Sequence, residues 1–327
     1  MSFTVTQESF DRLTSYWNES GSGLKWGSIF VLPAWLEAWW RTFQPGTELY
    51  LAAVRDGADI IGIAPLQMRG RKACFVGSPD VCDYQDFVIV PGRETEFFSA
   101  LLDELAGKGV NQLDLNPVRP ESTVITSLVD VVKNRGGDVT RQEVDVTVEM
   151  DLPGTWEEYL DGLDKKQRHE VRRKLRRLWG ADDVHYRCHE VTPQDVSGLT
   201  DTFLELFSLS RDEKADFMTP QMETFFHSIA RAMTEIKLLR YGILEVESHP
   251  AAMIMGFDYH QALYLYNSAF DPQYNSLSAG LLSKVLCIKE SIALGRRKWD
   301  FLKGAEKYKY QLGGSEVKLY HCRMMIG

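Results

Sequence analysis

The break at Asp56-Gly57 constrains the fold of this chain more than any other feature, because it lies between two apolar-rich runs, 49–55 and 60–68. Aspartate followed by glycine tolerates the positive φ of a tight hairpin turn, so the two runs are predicted to pair as antiparallel strands. A third run, 72–76, follows Arg69-Gly70-Arg71 and extends the pair into a meander. Strands at 85–90, 112–115 and 138–150, with helices at 94–106 and 121–134, complete this half. Ahead of the meander, Phe10, Leu13 and Trp17 repeat at helical spacing over 7–18. Pro33 then opens a helix carrying Trp35, Leu36, Trp39, Trp40 and Phe43. That aromatic stripe reads as core, with a lipid or sugar platform as the alternative use.

The order recurs after residue 150. Helices at 155–160 and 165–179, a strand at 184–189 and helices at 193–211 and 220–233 precede a second meander at 236–246, 250–258 and 262–269. A helix at 278–294 and strands at 298–302 and 316–325 close it. The fold class is therefore α+β, in two domains, 1–150 and 151–327, each a mixed, largely antiparallel sheet flanked by helices.

Charge narrows the function. A formal net charge of −9 argues against general nucleic-acid binding. The segment Lys165–Leu178 breaks that rule. Val171, Leu175 and Leu178 form its inward stripe, Lys165, Arg168, Arg172 and Arg176 one shoulder, and Lys166, His169, Arg173 and Arg177 an outer, solvated face. The shoulder set, Arg168 and Arg172 among it, suits a phosphate or carboxylate; solubility is the plainer use. Five cysteines and seven histidines show no ligand spacing, so no metal is expected. No apolar run reaches the ~18 residues of a membrane span, and the N-terminus lacks a signal core, so a soluble, cytoplasmic protein is expected.

Titratable groups crowd the stretch Trp299–Gly314, where Asp300, Glu306, Lys307 and Lys309 surround Tyr308 and Tyr310 after an apolar strand, with Gly304 permitting a backbone that a Cβ would obstruct. A solvated loop and a catalytic site both fit. Asp83, Tyr84 and Asp86 beside an apolar strand suit a substrate or cap a turn. Residues 270–282 follow a strand and open a helix. Ser276, Ser278, Ala279 and Gly280 there let a phosphate approach the helix N-terminus, unless Ser278 is simply an N-cap and Gly280 a packing contact.

The segment Asp300-Phe301-Leu302-Lys303-Gly304-Ala305-Glu306 with Tyr308-Lys309 resembles the C-terminal signature of CelD-like acyltransferases, and more distantly that of Fem-type peptidyltransferases, both within the GNAT superfamily. Lys303 stands where arginine is common and Ala305 where aspartate is. Pro33-Ala34-Trp35 with Trp39-Trp40, Ile63-Ala64-Pro65-Leu66 and Asp83-Tyr84-Gln85-Asp86-Phe87 resemble the same family in the expected order.

The resemblance implies tandem GNAT-like domains and transfer of an acyl group from acyl-CoA or an acyl carrier protein to an amine or hydroxyl of an envelope polysaccharide or sugar-like precursor. Aminoacyl-tRNA-dependent Fem-like transfer is the alternative, and a non-catalytic polyanion- or partner-binding scaffold a third. Glu306 is expected as the base, desolvated beside Tyr308, with Lys309 on the phosphate or oxyanion and Asp300 as orienter. The Ser208–Met218 stretch, resembling the family's serine-lysine-phenylalanine-methionine pattern, makes Lys214 an acceptor contact. Tyr264 and Tyr266 alternate on a strand, so Tyr266 is expected beside Tyr264, orienting substrate or packing in the core.

Overall fold

The computed structural model describes residues 3–19, 21–210 and 217–326. The chain divides into two compact units, Met1–Val146 with Val317–Gly327, and Thr147–Glu316. Most of the final strand, expected with the second half, thus belongs to the first.

In the first unit β1 (Phe3–Gln7), β2 (Glu48–Asp56), β3 (Asp59–Arg69) and β4 (Lys72–Phe75) form an antiparallel meander. β5 (Val88–Ile89) also pairs with β3. β6 (Gln112–Val118) joins β4 in parallel, and the C-terminal strand Ser315–Met325 pairs antiparallel with β6 over Tyr320–Met325. The first hairpin closes through Gly57 and Ala58, one residue later than expected, with Gly57 at φ +62. Helices α1 (Phe10–Asn18), α2 (Pro33–Phe43), α3 (Glu94–Gly107) and α4 (Val129–Asn134) complete the unit. Phe97, Phe98, Leu101, Leu102 and Leu105 on α3 fill the core against Val54, Ala64 and Leu66.

Two readings of this unit change. Phe3–Gln7 is a strand, because Phe3 and Val5 alternate, and α1 starts after it with Ser9 as N-cap. The expected 85–90 strand shrinks to two residues, since the Gln85 N–H donates to Pro117 O and Asp86 takes side-chain bonds.

The second unit uses residues 147–151 of β7 (Val139–Asp151). It continues with α5 (Trp156–Gly162), α6 (Lys165–Leu178), β8 (Val184–Glu190), α7 (Val196–Ser210), α8 (Pro220–Glu235), β9 (Leu239–Val246), β10 (His249–Tyr259) and β11 (Ala262–Phe270). Then come α9 (Ala279–Ala293), β12 (Lys298–Lys303) and α10 (Lys307–Gln311). Its strands run β7-β12-β11-β10-β9-β8, antiparallel except for β11 with β12. The parallel pair needs a crossover, and α9 supplies it. Thr155 and Glu158 form a capping box that starts α5, and Asp164 caps α6. Trp299, Phe301, Leu282, Val285 and Ile288 belong to the core beneath α9. Where a polar loop was expected after β12, Lys307–Gln311 coil into one short helix.

Candidate active site

β11 and β12 stay paired for three residues, Ala262–Lys298, Leu263–Trp299 and Tyr264–Asp300. Beyond them β11 continues along β10 to Phe270, while β12 bulges between Asp300 and Lys303 against β7. The cause is local. Asp300, 1% exposed, accepts the Leu302 N–H at 2.7 Å and fixes Leu302 at φ +61, a left-handed conformation unusual for leucine. Asp300 is thus a backbone orienter.

A cleft of about 610 Å³ opens where the strands part, lined by Phe270, Ser278, Gly280, Lys284, Glu306 and Tyr308. It therefore brings the expected donor loop and the expected base together. Gly304 at φ +106 is what lets Glu306 fold back, since a Cβ there would lie 2.6 Å from Glu306 Oε2.

Lys309 takes a different role from the one expected. Its ammonium is buried, donating to the carbonyls of Leu302 at 3.1 Å, Lys303 at 2.6 Å and Gly304 at 3.1 Å, with Glu306 Oε2 at 3.0 Å. Three carbonyls and a carboxylate saturate it, so it ties the turn together and is not presented to a phosphate or oxyanion. The desolvation expected for Glu306 is absent as well: its side chain is 52% exposed and steadied by that ion pair. Tyr308 packs its ring 6.2 Å from Phe301, with Lys284 Nζ 5.0 Å from its centroid.

The donor loop departs from a simple cap. Ser278 adopts φ +59, its side chain makes no capping bond, and its hydroxyl accepts from Arg177 at 3.1 Å. Its carbonyl accepts the N–H groups of Leu281 and Leu282. The amides of Ala279 and Gly280 then head α9, where a helix carries partial positive charge. Gly280 also packs closely, since a Cβ would lie 2.9 Å from the Phe270 ring. Ala279 is buried in the core and Ser276 stands exposed on the preceding turn.

Arg177, assigned by helical periodicity to the solvated face, reaches this loop at Ser278. Arg168 and Arg172 do not line the cleft: they pair with Asp161 at 2.9 Å and Glu157 at 3.1 Å. The acidic residues of α5 that meet them could not be read from periodicity. Lys284 was missed altogether. It is 6% exposed and donates to Gly280 O at 2.7 Å. A lysine four residues after a glycine in an apolar helix was the available signal.

Tyr266 packs between Phe226 at 5.7 Å and Phe257 at 5.5 Å, and a bulge opposite Met255 and Gly256 interrupts the expected alternation with Tyr264. Lys214 lies outside the described residues. In the first unit, Tyr84 and Asp86 line a separate cavity of about 290 Å³, with the Arg119 guanidinium 4.7 Å from the Tyr84 ring. Asp83 is half-buried beside them. Asp86 accepts from Thr123 N at 2.8 Å, Thr123 Oγ1 at 2.6 Å and Phe87 N at 2.9 Å, so it caps a turn. Burial pushes its carboxyl up to about 6 despite those bonds.

Among the described residues no cluster of metal-ligating side chains occurs, and no helix is long and apolar enough to cross a membrane. Residues 165–310 match the family model described as an acetyltransferase (GNAT) domain. No curated protein matches the sequence. Among solved structures the chain is similar to FemX, with a TM-score of 0.64 and 11% identity over 97% of this chain and 96% of that one. It is similar also to a conserved protein of unknown function from Bacteroides thetaiotaomicron, at TM-score 0.61 and 13% identity over 99% and 100%. A tandem GNAT protein from the clavulanic acid biosynthesis pathway aligns at TM-score 0.50 and 12% identity over 100% and 99%. At such identities the likeness is one of fold. The chain has the tandem GNAT fold, and its residues 165–310 are similar to the acetyltransferase (GNAT) domain.

Proposed function

We propose that the protein is an N- or O-acyltransferase that moves an acyl group from acyl-CoA or an acyl carrier protein to an amine or hydroxyl of an envelope polysaccharide or sugar-like precursor, as in the CelD-like group. The observation that carries this reading is the cleft at the parting of β11 and β12, which joins the N-terminus of α9 to Glu306. The Ala279 and Gly280 amides with Arg177 suit a pyrophosphate or phosphodiester. The diverging strands suit a linear, amide-bearing arm, which can bond to strand edges.

Glu306 then accepts the proton of the attacking amine or hydroxyl, with Tyr308 beside it and Asp300 and Lys309 holding the turn. A backbone N–H, not Lys309, meets the thioester oxyanion; such a donor is worth on the order of 10²–10³ in rate. In the first unit, Tyr84 with Arg119 offers a contact for an anionic or hydroxyl-rich ligand.

Aminoacyl-tRNA-dependent transfer of the Fem type is the second reading, favoured by the likeness to FemX over nearly the whole chain. Incubation of the purified protein with acyl-CoA, acyl carrier protein and charged tRNA in parallel, each with amine and hydroxyl sugar acceptors, separates the two. Thiol release from either thioester supports the first reading, deacylation of tRNA supports the second, and consumption of none refutes both.

A further inference from the structure

Apart from Arg177, the exposed basic residues of α6 have no place in the cleft chemistry, yet this helix is the most concentrated charge in the protein. The helix holds eight Lys/Arg against one Glu in a chain of net charge −9, which leaves the remainder at −16. Val171 and Leu178 are buried. Lys166, His169 and Arg173 on the outer face and Lys165 and Arg176 on the shoulder are exposed, and Trp179, 50% exposed, ends the helix. Arg177, on the outer face, reaches Ser278 at the rim of the cleft.

A cationic surface leading to a donor cleft selects an anionic donor larger than a free thioester. We propose that this face docks a small acidic acyl carrier protein, whose phosphopantetheine arm enters the cleft past Arg177; the assignment rests on the acyltransferase reading. A helix of this length presents roughly 21 Å of basic surface, enough for one helix of an acidic domain. Long RNA would run beyond it onto a chain that is otherwise strongly acidic, and like charge repels it there. The amide-bearing arm also matches the parted strands, whereas a nucleotide end offers them no peptide-like edge. Trp179 supplies the kind of rigid aromatic anchor that dominates protein interfaces. In the transfer, the acceptor nitrogen or oxygen bonds to the acyl carbon, the C–S bond breaks, and the proton lost by the nucleophile ends on the sulfur as the carrier's free thiol.

The test uses bacterial holo- and acetyl-acyl carrier protein, bulk uncharged tRNA and S-acetyl-pantetheine with the full chain. Lys165→Glu, Lys166→Glu and Arg176→Glu are combined, and Lys166→Glu is made alone in case the triple variant folds poorly. Holo-carrier should bind the wild type with affinity that falls steeply with salt, and the triple variant at least about tenfold more weakly, the single variant proportionally less. Turnover of S-acetyl-pantetheine should change by less than about twofold. Carrier binding unaltered by charge reversal, no carrier binding by the wild type, or tRNA binding in preference to the carrier would overturn the proposal. Carrier binding that charge reversal removes, without turnover of any donor, would keep the docking surface and refute the acyltransferase reading.

Discussion

Lys309 Nζ lies 3.0 Å from Glu306 Oε2 and shares its three donors between that carboxylate and the carbonyls of Leu302, Lys303 and Gly304. The two ends of this pair have different surroundings, one buried and one open to the cleft, and substitutions should separate them. Lys309→Met leaves three carbonyls without their donor and should lower the unfolding free energy by about 2 kcal/mol or more. Glu306→Gln should leave the thermal midpoint nearly unchanged and cut turnover roughly a hundredfold. Denaturant melts and rate measurements on the two variants check both expectations; equal stability of Lys309→Met would remove the lysine from its role in the turn.

Gly304→Ala tests the geometry that places the carboxylate. The methyl would meet Glu306 Oε2 at 2.6 Å on a backbone with φ +106, so either Glu306 moves or the turn strains. Strain of this kind costs about 1–3 kcal/mol. Turnover should fall towards that of Glu306→Gln, and the double variant should be little worse than either single change. Additive losses would show that Gly304 and Glu306 act separately.

The hairpins, the two-fold recurrence of elements and the α9 helix were legible because turn chemistry and periodicity are local. Even so, the turns at Glu247-Ser248 and His260-Gln261 place four residues other than glycine at positive φ, which composition does not announce. The cleft was half legible. Ser278, Gly280, Glu306 and Tyr308 could be picked out one by one, but their meeting depends on β12 leaving β11 after Asp300, a tertiary event. Arg177 and Lys309 changed roles for the same reason: a helical wheel gives a side chain's direction but not the neighbour that meets it. Lys284 was hidden because a buried lysine looks like a surface one until its environment is known.

Arg177→Met removes the guanidinium at the donor loop while keeping an unbranched apolar stem. The hydroxyl of Ser278 stays at the helix start, so chemistry should persist and donor affinity should drop. KM for a phosphate-bearing donor should rise about tenfold with little change in kcat, since a charged hydrogen bond is worth ~1.5–3 kcal/mol. S-acetyl-pantetheine, which lacks the phosphate, should be used equally well by wild type and variant. Equal KM for both donors in both proteins would place the phosphate elsewhere.

Asp86 gives the fold a measurable pH signature. Burial raises its carboxyl from the ordinary 3.8 to about 6, because the ionised form is poorly solvated there even with bonds from Thr123 and Phe87. Between those values the folded chain holds a proton that the unfolded chain has lost. Stability from this residue is therefore greatest at low pH and declines as pH climbs from about 4 to about 6, then levels. Other carboxylates titrate in the same range, so the comparison must be with Asp86→Asn, which cannot ionise. The variant is expected to be less stable at every pH, because its amide NH2, in either oxygen's place, must face an N–H donor it cannot accept from. The advantage of the wild type over the variant should shrink across the window by an amount on the order of 2 kcal/mol and stay constant above pH 7. Urea unfolding of both proteins at half-unit steps from pH 4 to 8 reads that difference directly. A flat difference would mean that Asp86 ionises as readily in the folded chain as in the unfolded one, and a widening difference that it ionises more readily there.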